Sequence, residues 1–174
     1  MAGVVELTRK PIEDPRGFLE RLYCVDALSP VLGTRRIEQI NRTLTGLAGT
    51  VRGMHFQTGT AAETKIITCL RGRVFDVALD LRKGSPTFLK WHGVNLSGDV
   101  PLTLVIPEGV AHGFQTLTDN CAMLYLHTAR YNAQAQSGVN ALDPSFQIHW
   151  PRAITQMSDK DRSHPSIDSV FAGL

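Results

Sequence analysis

The chain has only three cysteines among 174 residues, and Cys24, Cys69 and Cys121 contain no CxxC pair. An odd count spaced by roughly fifty residues excludes a disulfide framework and a cysteine-built zinc site, and fits a reducing compartment. Long apolar runs are also missing: none approaches the roughly eighteen residues that a membrane span needs. The stretch Met1 to Lys10 lacks the continuous apolar segment of a secretory signal. We therefore expect a soluble, unexported, cytoplasmic protein. Nor is there a block of one charge. Eighteen Lys and Arg against sixteen Asp and Glu leave a net charge of +2, and the cations are scattered singly or in pairs. That pattern excludes a nucleic-acid-binding stripe and leaves small anions as ligands. No sustained 3.6-residue period, fixed-length repeat or Pro/Ser linker is present, so one domain over residues 1–174 is expected.

What is present is alternation. In Val74–Leu81 the residues Phe75, Val77, Leu79 and Leu81 share one face, while Asp76, Ala78 and Asp80 share the other. One packed face and one polar face are expected. In Cys121–Thr128, Tyr125 and His127 likewise oppose Leu124 and Leu126. Turn-rich punctuation at Arg71-Gly72-Arg73, Lys83-Gly84-Ser85-Pro86, Ser97-Gly98-Asp99-Val100-Pro101 and Pro107-Glu108-Gly109 separates such segments. The pattern reads as a mainly all-β sandwich or small barrel. Gln39-Ile40-Asn41-Arg42 adds N-terminal strand material that a second subunit could share. Helix is confined to a turn at Val25–Leu28, and Ser163–Leu174 reads as an irregular or weakly helical tail.

The richest segment is Gly49-Thr50-Val51-Arg52-Gly53-Met54-His55-Phe56-Gln57, followed by Lys65, a cation leading an apolar strand. The spacing of Gly49, His55, Lys65 and Gly72 resembles the first motif of the cupin jelly roll, and Pro107 to His112 resembles the second. In metal-binding cupins a second histidine and a glutamate occupy the places of Gln57 and Lys65. With two of four ligands replaced, no metal is expected, and an ammonium stands where the ion would be. Both kinds of cation stabilise an oxyanion formed beside a carbonyl. A base such as His55, a cation such as Lys65 and an acid such as Tyr125 are what proton abstraction and return next to a ketone require.

An ordered set of segments resembles the dTDP-4-dehydrorhamnose 3,5-epimerases and related nucleotide-sugar epimerases over nearly the whole chain. It includes Asp14-Pro15-Arg16-Gly17-Phe18, Gln39-Ile40-Asn41, Val51 to Gln57, Glu63-Thr64-Lys65 and Val74 to Arg82. It continues through Ser85-Pro86-Thr87-Phe88, Ile106 to Phe114, Asp143-Pro144, Trp150-Pro151 and Met157-Ser158-Asp159-Lys160-Asp161. The resemblance implies a cupin-type jelly roll and cofactor-independent inversion of C3, C5 or both in a nucleotide-linked 4-keto-6-deoxy sugar. By it, His55 is the base, Asp161 orients its imidazole, Lys65 stabilises the enolate at O4 and Tyr125 is the opposing acid. Asp76 would steady the lysine or the histidine. Arg16, Arg52 and His112 would hold the diphosphate, and Gln39 and Asn41 the sugar or nucleotide. The family also implies a homodimer paired through N-terminal strands, in which residues of one subunit reach the other's nucleotide site. Arg21 stands where these enzymes place a glutamate for the thymine imide, and an arginine accepts no hydrogen bond. The nucleotide therefore stays open.

Two other function classes remain at this point: a metal-dependent cupin enzyme in which His55 and His112 share an ion, and a non-catalytic nucleotide-sugar binding module. His92, His149 and His164 are expected at the surface, in strands or in turns, while His127 shares the face of Tyr125. Trp91, Trp150, Cys69 and Cys121 are expected to pack.

Overall fold

In the computed structural model, which describes residues 1–168 and 170–174, the alternating segments become strands. They are β1 (Val5–Thr8), β2 (Ile12–Asp14), β3 (Gly17–Leu19), β4 (Gln39–Thr45), β5 (Val51–Gln57), β6 (Lys65–Arg71), β7 (Arg73–Asp80), β8 (Trp91–Ser97), β9 (Leu102–Ile106), β10 (Val110–Thr116), β11 (Cys121–His127) and β12 (Gln136–Gly138). Two five-stranded sheets, in the orders β1-β9-β6-β11-β4 and β12-β5-β10-β7-β8, face one another, while β2 and β3 form a separate hairpin. From β4 to β11 consecutive strands change sheet except at β7–β8, so most of the expected turns are corners of a sandwich. The outcome is a jelly-roll-type sandwich; the barrel alternative does not hold, because the sheets keep open edges. Gly72 illustrates a corner. Its φ is +78°, and a Cβ there would meet the Cys121 thiol at 2.7 Å.

The expected polar face of β7 is not solvated. Val74 and Ala78 pack between the sheets with Ile67, Leu96, Leu104, Phe114 and Met123, and Asp76 and Asp80 are buried beside them. Val77, Leu79 and Leu81 face the other way into a second cluster with Val51, Met54, Phe146 and Met157, under Trp150 and Ile154. The C-terminal segment thus covers the outside of the second sheet, which alternation alone cannot reveal. Trp91 and Trp150 pack as expected, each donating its indole N–H to a carbonyl, those of Phe146 and Ala141. Cys69 and Cys121 are buried in strands.

Helix α1 (Val25–Leu32) runs a turn beyond the expected Val25–Leu28 despite Pro30. Leu28 and Leu32, four residues apart, bury against Ile66, Val105 and Leu126 on the outer face of the first sheet. Tertiary burial overrides the breaker. A second helix, α2 (Asp159–Arg162), precedes the tail expected to be irregular or weakly helical, whose described residues from Pro165 onward are irregular.

Asp80 ties the β7–β8 connection. Its buried carboxylate accepts from the Arg82 guanidinium at 2.7 and 2.8 Å, from Arg82 N at 3.0 Å, from Thr87 Oγ1 at 2.6 Å and from Ser85 Oγ. Burial alone would raise this carboxyl, but these donors outweigh it and hold it well below the usual carboxylate range. A depressed folded-state value means stabilisation that is complete above the unfolded-state value, near ~4, and is lost as pH falls through the folded one. Asp80→Asn is expected to cost about 3 kcal/mol near neutrality. Denaturant melts of both proteins should show that difference shrinking below pH ~4.

Candidate active site

Register brings the polar residues of the first sheet into rows. Lys65 pairs with His127 and His127 with Gln39; two residues along, Ile67 pairs with Tyr125 and Tyr125 with Asn41. Opposite them, His55 of β5 pairs with His112 of β10. Between the sheets lies a cavity of about 290 Å³ lined by Gln39, Asn41, Arg52, His55, Gln57, Lys65, His112 and Tyr125. Arg52 and His55 are three residues apart and would alternate to opposite faces of a regular strand. A β-bulge corrects this: His112 opposes His55 while Phe114 opposes Arg52, so β5 spends one extra residue. Gly53 (φ +128°) permits it, since a Cβ there would collide with the Gly113 backbone.

His55 Nε2 lies 2.7 Å from Asp161 Oδ1. Asp161, in α2, has its own N–H capped by Ser158 Oγ, and its Oδ2 accepts from Gly53 N at 3.4 Å. Burial would raise the Asp161 carboxyl, but its hydrogen bond and charge interaction with His55 prevail and hold it below the usual range. A carboxylate on Nε2–H fixes the tautomer and leaves Nδ1 as the basic nitrogen. No protein group among the described residues hydrogen-bonds that nitrogen.

Lys65 Nζ donates to the His55 carbonyl at 2.9 Å and lies 3.5 Å from Glu63 Oε1. Burial lowers its pKa, while the negative charges of Glu63 and Asp76 oppose that shift. Glu63 Oε2 in turn accepts from His127 Nδ1 at 2.9 Å, and Asn41 Nδ2 lies 3.4 Å from His127 Nε2. Asp76 accepts from His112 Nε2 at 2.9 Å, and its other oxygen is buried without a hydrogen-bond partner among the described residues. The Tyr125 phenol is pushed well above its usual range, by burial first and by the Asp76 charge next, with the Thr43 hydroxyl opposing. Gln57 is saturated: its amide nitrogen donates to the carbonyls of Ala61 and Arg130, and its oxygen accepts from Asn132 N at 2.7 Å. It braces the loops around the cavity.

Of the expected site residues, Asp76 and Asp161 stand behind the cavity wall against His112 and His55, and Arg16 and Arg21 are not brought to the cavity. Arg16 sits at the tip of the β2–β3 hairpin, paired with Asp14 at 2.6 Å, and Arg21 is exposed between β3 and α1. Sequence reasoning gave no role to Glu63, buried where it joins Lys65 to His127, nor to Thr43, Phe114, Tyr131 and Gln136, which also line the cavity. Glu63, two residues before Lys65, was the readable signal, since an acid beside a buried lysine is its natural partner. A shared ion between His55 and His112 does not fit the donors present. Their Nε2 atoms are committed to two different carboxylates, and Gln57 and Lys65 fill the other two ligand places.

The interleaved sandwich with a polar cavity between its sheets is that of a cupin-type protein. Within that class, the chain belongs to the dTDP-4-dehydrorhamnose 3,5-epimerase family, whose model matches residues 1–169. It is 37% identical over 161 residues to a dTDP-4-dehydrorhamnose 3-epimerase of Streptomyces niveus, covering 92% of this chain and 77% of that one. It is 39% identical over 168 residues to the dTDP-4-dehydrorhamnose 3,5-epimerase of Sinorhizobium fredii, covering 96% and 86%. Among solved structures, the dTDP-4-dehydrorhamnose 3,5-epimerase of Bacillus anthracis, with TDP and PPi bound, superposes with a TM-score of 0.91 at 38% identity over 94% of each chain.

Proposed function

We propose that this chain is a single-domain, cofactor-independent epimerase that inverts C3, C5 or both of a dTDP-linked 4-keto-6-deoxy sugar in deoxysugar biosynthesis. The observation that carries the reading is the His55–Asp161 pair, which leaves one histidine nitrogen basic at a cavity that also holds a buried ammonium and a phenol. His55 Nδ1 takes the proton from the carbon beside the ketone. Lys65 neutralises the charge that develops on O4, in a buried setting where that interaction is strong. Tyr125 returns a proton to the opposite face, and its raised pKa keeps it protonated until the enolate needs it. Asp76 holds His112 in place, Arg52 and His112 bind the diphosphate, and Gln39 and Asn41 bind the sugar or nucleotide.

The protein acts as a cytoplasmic homodimer. Ile12, Phe18 and Leu19 of the β2–β3 hairpin and Ile40 and Leu44 of edge strand β4 are all exposed, and a subunit pairing through these strands would cover them. In that arrangement Arg16 and Arg21 serve the nucleotide bound to the partner. Sedimentation at micromolar concentration should give twice the 19.1 kDa chain mass; a monomer would contradict the pairing.

The substrate is tested by incubation with dTDP-, UDP-, GDP- and CDP-linked 4-keto-6-deoxy sugars and NMR of the products. The dTDP sugar should be turned over fastest. Preference for another nucleotide would assign Arg21 a different base, and turnover of none would remove the epimerase reading.

A further inference from the structure

His164 takes no part in the chemistry above, yet it stands against the catalytic pair. Its Nε2 is 4.0 Å from Asp161 Oδ1, the oxygen that His55 Nε2 contacts at 2.7 Å. The two imidazoles meet edge to face, with centroids 5.5 Å apart. One donor atom from each of His55, Asp161 and His164 lies within 4.8 Å of the other two. His164 Nε2 is also buried without a hydrogen-bond partner among the described residues, an unfavourable state for a ring nitrogen.

The placement is built in. Asp161 and His164 are three residues apart across the end of α2, so both point to one side. Gly138 pairs with His55 across β12 and β5, and a Cβ at Gly138 would fall 2.5 Å from His164 Nε2. Only glycine leaves room for the ring at that position.

We propose that His55, Asp161 and His164 form a binding site for a borderline divalent cation, Zn²⁺ foremost, that switches the histidine base off. Two imidazoles and one carboxylate are a zinc ligand set, and they disfavour Mg²⁺ and Ca²⁺, which prefer all-oxygen sites. His55 Nε2 and His164 Nε2 lie 2.7 and 4.0 Å from Asp161 Oδ1, so seating a tetrahedral zinc requires the first contact to open and the second to close, each by about half an ångström. His55 and Asp161 also line a surface cleft together with Arg52, Ser158 and Lys160, through which an ion could reach them. The Lys160 ammonium is held at 2.8 Å by Gln136 Oε1. The place shares only His55 with the metal position of metal-binding cupins, whose other places here hold Gln57, Lys65 and His112.

The switch follows from counting protons on one ring. Neutral His55 carries a single N–H, on Nε2 toward Asp161. A metal ion takes the Nε2 lone pair, so that proton moves to Nδ1, the atom that must accept the substrate's proton. No proton leaves the ring, but the base is blocked.

The switch rests on the epimerase reading, whereas metal binding stands apart from it and is read without substrate. Metal-free protein titrated with ZnCl₂ in a calorimeter should bind one ion per chain in the micromolar range, and Co²⁺ should give a tetrahedral visible spectrum. His164→Ala and His164→Gln, checked for unchanged melting, should bind more than about a hundredfold more weakly, since loss of a direct ligand exceeds the loss of an outer partner. Zinc should stop solvent exchange into the keto sugar in the wild type, chelation should restore it, and both variants should stay active in zinc. Absence of stoichiometric binding, or equal binding by the two variants, would overturn the site. Zinc bound with exchange intact would overturn the switch. His164-dependent binding by a protein that exchanges no substrate would uphold the site and remove the epimerase reading instead.

Discussion

His55→Asn is expected to lower turnover of the dTDP-linked keto sugar by about 10³-fold while leaving dTDP affinity within a few-fold of wild type. Asparagine keeps a polar group near Asp161 but carries no basic nitrogen. The loss should appear in kcat, because His55 acts on the reacting carbon and Arg52 and His112 hold the diphosphate. Initial-rate kinetics together with dTDP calorimetry separate the two effects. An unchanged kcat would take the base away from His55. A parallel collapse of dTDP binding would show that the residue holds the nucleotide.

Lys65→Met is expected to cost about 10² to 10³ in kcat, the size found when one oxyanion donor is removed from a water-excluded site. Methionine fills a similar volume without the ammonium. The substitution also leaves Glu63 buried with His127 as its remaining partner, so stability will fall as well. Lys65→Gln distinguishes the two losses, since it keeps a donor in the cavity without the charge. If the charge at O4 is what matters, both variants lose kcat although their melting temperatures differ. Near-normal kcat in either variant would contradict the role.

The strand pattern was legible because each segment from Val74 to Leu81 and from Cys121 to Thr128 alternates with period two. Which face was wet was not, because the sandwich buries the Asp76 and Asp80 side too and the C-terminal segment covers the other. His55 and Lys65 stood out as a base and cation near one another. Their chemistry became readable through the ordered resemblance, since Asp161 reaches His55 from 106 residues away. Arg52 shares the His55 face only through the Gly53 bulge, and strict alternation would have placed it outside. The Glu63–His127 link depends on the register of β6 against β11, a tertiary fact that no local pattern carries. His164 looked like one more turn histidine until the fold set its ring against Gly138.

The central claim, metal-free proton abstraction by His55 beside the ketone, is tested most directly by mixing chelator-treated wild-type protein with the dTDP-linked 4-keto-6-deoxy sugar in D₂O and following the ring protons by NMR. The account predicts deuterium at C3, at C5 or at both, with none at the other ring carbons, and loss of that exchange in His55→Asn. Absence of exchange at both carbons in the wild type, or exchange undiminished in His55→Asn, would contradict it.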